Sequence, residues 1–173
     1  LNTILGAELD YKQFSSGGYY LTPNTNELYF SLYGFNETEF NNNFSLLSSL
    51  RLNYLSIKPN EYNYNNIEEQ VTDRKFNYFS SSIGIRKIIN KFEFNTWIMN
   101  TTRAPRLEEL YSDGPHLGTY SYEIGAPNLE LEKIYGIESS FLYDFNPFNI
   151  SLTTFYNYSP YYHQMNQMGE CDL

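Results

Sequence analysis

Hydrophobic and polar residues alternate in seven stretches of the chain, and this period of two constrains the fold more than any other feature. The stretches are residues 3–13, 26–36, 44–54, 78–86, 92–103, 135–145 and 148–158. In the third stretch, for example, Leu50, Leu52 and Tyr54 alternate with Arg51 and Asn53. Successive side chains of a β-strand point to opposite faces, so each stretch is predicted to be a strand with one apolar face and one polar face. The sequence therefore predicts an all-β fold.

The segments between these strands are alternately long and short. Residues 15–25, 58–73, 104–132 and 159 onward are long, whereas 37–43, 89–91 and 146–147 are short. Membrane β-barrels have tight turns on the periplasmic side and long loops outside the cell, and about 9 to 11 residues per strand cross the bilayer. A sandwich with Greek-key crossovers does not require this alternation. We therefore expect an up-and-down antiparallel meander of about seven strands, an arc of a larger transmembrane β-barrel.

The composition agrees with strands that are only half hydrophobic. Mean hydropathy is −0.52, and no stretch reaches the roughly 18 consecutive apolar residues that a membrane helix needs. Aromatic residues make up 18% of the chain, and many lie near strand ends, where the interfacial girdles of a barrel are expected: Phe14, Phe44, Phe76, Tyr78, Phe92, Phe94, Phe145, Phe148 and Tyr158. Outer-membrane lipid is therefore a predicted partner of the apolar faces.

The polar faces are predicted to line the lumen of the barrel, where charges are tolerated. The charged residues on these faces are Glu8, Asp10, Arg51, Arg86, Glu138 and Asp144. On the same reasoning, an arginine in place of Ile137 on an apolar face should disturb the barrel, whereas Gly136→Ser on the polar face should be tolerated.

Charge, cysteine content and motifs exclude several classes of function. The formal net charge of −9 and the scattered basic residues argue against nucleic acid. Cys171 is the only cysteine, so no disulfide can form within the chain. No nucleophile elbow, P-loop or dinucleotide-binding glycine motif occurs, so we expect neither an enzyme nor a cofactor. Because Leu1 already lies in a strand pattern and Leu173 closes no element, residues 1–173 are expected to be part of a longer protein.

The longest connection, residues 104–132, is predicted to be ordered. Pro105 suits the first turn of a short helix, one face of which would carry Leu107, Leu110 and Tyr111. Asp113-Gly114-Pro115 is expected to stop the helix through a left-handed glycine, and Gly125-Ala126-Pro127-Asn128 predicts a second sharp turn. A connection much longer than the usual 4 to 6 residues or so is normally functional or disordered. We therefore expect a shaped functional loop.

The same region carries motifs that resemble a known family. Arg103-Ala104-Pro105 is followed by Leu107-Glu108-Glu109-Leu110-Tyr111, and later by Gly125-Ala126-Pro127-Asn128-Leu129-Glu130-Leu131-Glu132. This order and spacing resemble the barrel of TonB-dependent outer-membrane receptors. Ala126 and Leu131 depart from the family pattern, in which Asn or Asp and Pro are common at these positions. The resemblance is strongest over residues 74–160.

The resemblance implies a location and a function. The chain is expected to belong to the barrel of a Gram-negative outer-membrane receptor that takes up a scarce nutrient, such as a metal ion or a metal chelate. A periplasmic TonB-type partner would supply energy through an N-terminal region that, like the plug of the barrel, is not among these residues. The residues alone leave an alternative, a soluble aromatic-rich β-sandwich that binds carbohydrate by stacking on tyrosines.

His116 and Glu123 are the candidate metal ligands of loop 104–132. Imidazole and carboxylate suit Zn²⁺, and receptors that resemble this chain and import zinc carry a similar segment. A complete site needs three or four ligands, so the alternative is that His116 forms a hydrogen bond within the loop and Glu123 is a solvated charge. Zinc is expected ahead of a ferric siderophore, which would contact the aromatic and basic residues of the loop instead: Arg106, Tyr111, Tyr120 and Tyr122.

The last residues of the chain offer a second set of metal donors. His163, Met165, Met168 and Cys171 place imidazole, thioether and thiol groups close together in sequence, a combination that favours copper. The alternative is a frayed terminus without a site.

Overall fold

Nearly all of the regular structure is β-strand. The computed structural model describes residues 1–15, 21–60, 71–118 and 120–166. In chain order the elements are β1 (Asn2–Phe14), β2 (Thr25–Asn41), β3 (Phe44–Pro59), β4 (Arg74–Ile89), β5 (Phe92–Arg103), α1 (Leu107–Tyr111), β6 (Asp113–His116), β7 (Ser121–Ile124), β8 (Glu132–Phe145) and β9 (Phe148–Tyr161). Among the described residues no helix is both long enough and apolar enough to span a membrane.

The seven long strands form one antiparallel sheet in the order β1-β2-β3-β4-β5-β8-β9. Each strand pairs with the long strand that precedes it, and β6 and β7 form a separate hairpin within the loop between β5 and β8. The tight turns join β2 to β3, β4 to β5 and β8 to β9 at one end of the sheet, and the long connections lie at the other end. The predicted meander, an arc of a barrel with alternating long and short connections, is confirmed.

The segment 37–43 was expected to be a short loop, and this expectation is wrong. Strand β2 continues to Asn41 and remains paired with β3, with an irregularity between Glu39 and Asn41, so only residues 42 and 43 form the turn. Glu37 and Glu39 lie on the same strand face as Tyr33 and Tyr29, which is the polar face. Glu37 and Glu39 therefore indicate the lumen side of a strand and not the end of one.

The apolar faces of the strands form one continuous surface. The register places Ile83 beside Ile98, Ile98 beside Ile137, and Ile137 beside Tyr156. These four residues remain between 44% and 67% exposed, because no second sheet covers them within the described part of the chain. A sandwich would bury this surface, so the alternative of a soluble sandwich is wrong.

Aromatic rings gather on this outer surface next to the tight turns. Phe92 stacks on Tyr143 with 4.3 Å between ring centroids, and Phe92 and Phe94 both contact Phe141. Three residues expected in a girdle lie elsewhere, and one of them, Phe14, lines a cleft on the inner face. Phe76 and Tyr78 are on the inner face at the long-loop end, and Phe76 is buried because α1 packs there. The predicted girdle residues on the outer face therefore lie mainly next to the tight turns, with Tyr158 at the long-loop end.

Gly136→Ser requires flexible side chains to shift. A Cβ atom at residue 136 would come within 2.6 Å of Asn157 Oδ1 and 3.0 Å of Met99 Cγ. Gly136 allows these side chains of β9 and β5 to close over β8. A serine would displace them, so this position is a poor neutral control.

We expect Ile137→Arg to reduce assembly of the complete barrel, because a charge facing mid-bilayer costs about 2 to 4 kcal/mol. The matched control is Glu138→Arg, which introduces the same side chain one residue away on the inner face. Folded protein can be measured by the heat-dependent shift in electrophoretic mobility of outer-membrane barrels. Equal assembly of the two variants would contradict the assignment of the outer face.

Candidate ligand-binding loop

The loop between β5 and β8 is folded onto the inner face of the sheet. Its helix α1 buries Leu107, Leu110 and Tyr111, as predicted, and the loop also contributes Ala104. These side chains pack with residues from β3, β4 and the segment before β4: Ile57, Phe76 and Val71. All fully buried aliphatic and aromatic side chains of the described chain belong to this cluster, proline aside. The loop is therefore a packed part of the barrel mouth.

The end of α1 differs from the prediction. Ser112 follows the helix in an extended conformation, and Asp113-Gly114-Pro115 begins strand β6, so no left-handed glycine stops the helix there. The free carbonyl groups of the helix end are instead satisfied by the returning chain, since Ala126 N–H donates to Glu109 O (2.8 Å) and Gly125 N–H donates to Ser112 O (2.6 Å). The segment 125–126 thereby closes the loop.

Gly125 is required at this closure for reasons of space. A Cβ atom there would lie 2.6 Å from the carbonyl carbon of Leu110 and 2.7 Å from Ser112 N. Both are backbone atoms that cannot move aside cheaply. The predicted turn after Gly125 is present, with Leu129 N–H donating to Ala126 O.

A group of three charged residues, here named the Arg103 clasp, joins both ends of the loop to α1. Arg103 at the end of β5 donates two hydrogen bonds to Glu109 (2.8 and 2.9 Å) and one to Glu132 (2.7 Å) at the start of β8. Glu109 also accepts the backbone N–H of Arg106 (2.8 Å). The clasp therefore includes Arg103, Glu109 and Glu132.

The surroundings of Glu109 favour its ionised form. Partial burial raises the pKa of its carboxyl group, but the hydrogen bonds from Arg103 and from the Arg106 backbone, together with the positive charge of Arg103, outweigh burial, so the net shift of the pKa is downward. The carboxylate is thus stabilised as an anion where α1 begins.

Two further contacts fix the loop to its neighbours. Arg74 on β4 donates hydrogen bonds to the carbonyl groups of Pro127 and Leu129. The Tyr111 hydroxyl donates to Thr72 O (2.6 Å), and only 1% of Tyr111 is exposed. Tyr111 was expected to contact ligand, but its burial makes it part of the packed cluster, and that expectation is wrong.

His116 and Glu123 meet in the β6–β7 hairpin. His116 Nδ1 lies 2.6 Å from Glu123 Oε1, and 13% of the Glu123 side chain is exposed. The hydrogen bond within the loop is therefore present, while the interpretation of Glu123 as a solvated charge is wrong. Within the described ranges no group of three or more His, Cys, Asp or Glu side chains is placed to hold a metal ion.

The hairpin presents apolar and aromatic side chains outward. Tyr120 is 92% exposed and has a backbone φ of 51°, in the left-handed region that a bulky residue adopts at some cost in energy. Leu117 and Tyr122 are also exposed. Tyr122 donates a hydrogen bond to Asp113 (2.8 Å), and this bond, with some burial, raises the pKa of the phenol. Of the predicted ligand loop, Arg106, Tyr120 and Tyr122 are accessible.

Sequence reasoning missed a cleft beside the loop. An open space of about 860 Å³ lies between the start of α1 and the inner faces of the first strands. Its lining includes Glu8, Asp10, Glu27, Tyr29, Arg106 and Glu108. The alternation of polar and apolar residues predicts that Glu8 and Asp10 lie on this face. Arg106 and Glu108 lie opposite them because the loop folds onto the inner face of the sheet.

The end of the described chain is ordered where a frayed terminus was one expectation. Only 3% of the His163 side chain is exposed, and its Nε2 lies 2.9 Å from Glu130 O. Met165 is exposed. The remaining residues of the copper hypothesis, Met168 and Cys171, lie outside the described residues.

We expect Arg103→Ala to loosen the loop, because Glu132, with 4% of its side chain exposed, would lose its charged partner at a cost of about 1 to 3 kcal/mol. The matched control is Lys133→Ala, which removes an exposed positive charge beside the clasp. The readout is protease cleavage within residues 104–132 of the assembled barrel. Equal cleavage of both variants would show that the clasp does not hold the loop.

Comparison with known proteins agrees with the fold and the loop. The family model for the TonB dependent receptor-like β-barrel matches residues 2–159, most of the chain. None of the curated proteins matches the chain in sequence. The antiparallel meander agrees with this family match. The chain belongs to the TonB-dependent receptor family of Gram-negative outer-membrane proteins, and its sheet is an arc of the receptor barrel.

Proposed function

We propose that the chain is part of a receptor that captures an extracellular metal ion or metal chelate on loop 104–132 and imports it with energy from a TonB-type partner. The observation that carries this proposal is the fixed position of the loop. The Arg103 clasp and the buried cluster hold α1 at the barrel mouth, and the hairpin and the open cleft lie beside it. Binding residues are commonly found on loops that a rigid scaffold positions.

The accessible side chains support a metal chelate as the first candidate cargo. Tyr120 is nearly fully exposed, Tyr122 and Arg106 are exposed, and flat aromatic surfaces with a guanidinium suit an organic anionic chelator. The metal would then arrive with most of its coordination positions already filled. This arrangement does not need three protein ligands in one place.

A bare zinc ion is the second candidate, supported by the His116–Glu123 pair. An imidazole and a carboxylate at 2.6 Å are a chemically suitable half of a zinc site. Zinc would have to replace the hydrogen bond between them and gain one or two more ligands. We therefore place the chelate ahead of zinc, the reverse of the expectation from sequence. The reason is that His116 and Glu123 are hydrogen-bonded to each other, and zinc would have to break that bond.

The inner wall supports a role as a channel lining around a plug. Arg51 pairs with Glu8, and Arg86 pairs with Glu93 (2.9 Å), so charges on this face are partly balanced within the wall. We propose that the plug and the TonB-contacting segment belong to the same receptor outside residues 1–173. Transport through such a wall requires no covalent chemistry by these residues.

We expect Tyr120→Asn to weaken binding of a ferric chelate about threefold to tenfold, the effect of losing one aromatic contact. Asn accepts a left-handed backbone, so the change removes the ring without straining the turn. Tyr120→Phe keeps the ring and should bind like the wild type. Binding to cells that display the intact receptor measures the difference. Unchanged affinity in Tyr120→Asn would argue against capture by this ring.

The double variant His116→Ala/Glu123→Gln tests the zinc candidate. If zinc is the cargo, the variant should lose receptor-dependent growth under zinc limitation, because both donors are removed, while chelate uptake remains. The control is Leu117→Ala, an exposed residue of the same hairpin without a metal donor. Normal zinc-limited growth of the double variant, together with impaired chelate uptake in Tyr120→Asn, would leave the chelate as the cargo.

A further inference from the structure

The charged residues of the long strands are sorted by sign between the two faces of the sheet. Every acidic residue of these strands lies on the inner face, as the register places Glu8, Glu93 and Glu138. On the outer face of the described strands the charged residues are all lysines: Lys58, Lys75, Lys87 and Lys133. The chain carries a formal net charge of −9, so composition does not explain this distribution.

The burial pattern along β3 and β4 shows that Lys58 and Lys75 point outward. Ile57 and Phe76 belong to the buried cluster on the inner face, whereas their neighbours Lys58 and Lys75 are exposed. Both lysines lie at the long-loop end of the sheet, which faces the outside of the cell in barrels of this class. Their side chains therefore project from the extracellular edge of the apolar face.

The two lysines flank a hydroxyl group that lacks a partner. Ser56 is directly opposite Lys75 in the β3–β4 register, and Lys58 follows two residues further along the same face of β3. On paired antiparallel strands, opposite side chains are about 5 Å apart and diagonal ones about 7 to 8 Å apart. Ser56 is only 4% exposed, and its Oγ has no hydrogen-bond partner in the described chain. The three side chains can therefore converge on one small group.

The chemistry of these side chains indicates that the group is an anion. Within the described ranges no carboxylate lies at ion-pair distance from either ammonium group, although Asp73 immediately precedes β4. Ammonium groups bind phosphate as point charges, and a serine hydroxyl can donate a hydrogen bond to the same oxygens. Neutral polar residues could equally well have bordered the apolar face. A border that carries lysines and no acidic residue suits negatively charged surroundings.

Below the lysines, the outer face follows the order of groups in a lipid. Tyr54 is opposite Asn77, and one step closer to the membrane centre Leu52 is opposite Phe79. Leu52 and Phe79 are 50% and 52% exposed, so they can contact acyl chains. The tyrosine lies between the lysines and this apolar pair, at the level where aromatic rings with a polar end are favoured. Charged, interfacial and apolar groups thus succeed one another along both strands.

We propose that Lys58, Lys75 and Ser56 bind a phosphate group of a phosphorylated glycolipid in the outer leaflet, with the acyl chains of that lipid on Leu52 and Phe79. The lysine stems lie along the apolar surface and carry their ammonium groups to the headgroup. The phosphate supplies the acceptor that the Ser56 hydroxyl lacks. The inference uses the position of the barrel in the outer membrane and does not depend on which cargo is imported.

Binding can be measured by native mass spectrometry of the intact receptor in detergent micelles, titrated with bisphosphorylated lipid A. A basic side chain near an anionic lipid surface contributes a factor of about five, so Lys58→Gln/Lys75→Gln should weaken binding about 30-fold. Ser56→Ala should weaken binding about tenfold, because one hydrogen bond to a charged group is lost. The matched control is Lys87→Gln/Lys91→Gln, which removes the same charge at the tight-turn end and should bind like the wild type.

Three results would overturn the proposal. Equal weakening in the two double variants would indicate a general attraction between charges. Equal binding of lipid A whose phosphates have been removed would indicate contact through acyl chains only. Complete displacement of lipid A by inorganic phosphate would indicate a site for a soluble anion. Assembly of each variant is checked by the heat-dependent shift in mobility, so that misfolding is not mistaken for weaker binding.

Discussion

Backbone groups that face hydrocarbon must find hydrogen-bond partners within the protein, and this constraint determines how the seven strands are arranged. In the seven-stranded sheet the five inner strands, β2, β3, β4, β5 and β8, are paired on both sides, whereas β1 and β9 each leave one side unpaired within the sheet. Unpaired groups in a bilayer cost several kcal/mol each, so an arc of this kind is stable in a membrane only when its two edges are paired. The same environment explains why a broad apolar face is stable without protein covering it.

The inner face does not contact hydrocarbon, so polar and irregular segments can pack against it, as the loop does. Charged residues can line a lumen that water or a plug fills, and at the long-loop end the wall is apolar enough to hold α1. The Arg103 clasp fixes the orientation of α1, because it joins the two strands that flank the loop to this single turn of helix. Packing and charge together thus turn a connection of 28 residues between Arg103 and Glu132 into a defined surface.

The strands could be predicted from sequence because a period of two is a local property. Leu50, Leu52 and Tyr54 needed no information from elsewhere in the chain to be assigned to one face. The errors occurred where one residue type has two uses. Polar Glu37 and Glu39 were taken for a loop but lie on the lumen side, and aromatic Phe76 was taken for a girdle residue but supports α1.

The candidate site was harder to predict, because its contacts join residues far apart in the chain. The hydrogen bond between His116 and Glu123 depends on the β6–β7 hairpin, which was not predicted because Gly114 and Pro115 are typical of turns. The contacts of His163 are with Glu130 and Glu132, more than 30 residues earlier. No local pattern encodes such pairs. The motif Arg103-Ala104-Pro105 did indicate where the loop begins, since the clasp starts at Arg103.

The β6–β7 hairpin is held by the ordered segments on either side of it and by a backbone hydrogen bond from Asp113 N–H to Leu21 O (2.8 Å). Its tip carries Tyr120, the most exposed tyrosine of the described chain. Exposed turns of this kind accept changes in sequence and length with little effect on stability. Changes at the tip can therefore alter the surface proposed to capture cargo while the barrel beneath it stays the same, and the tip offers a position for inserting a surface-displayed peptide.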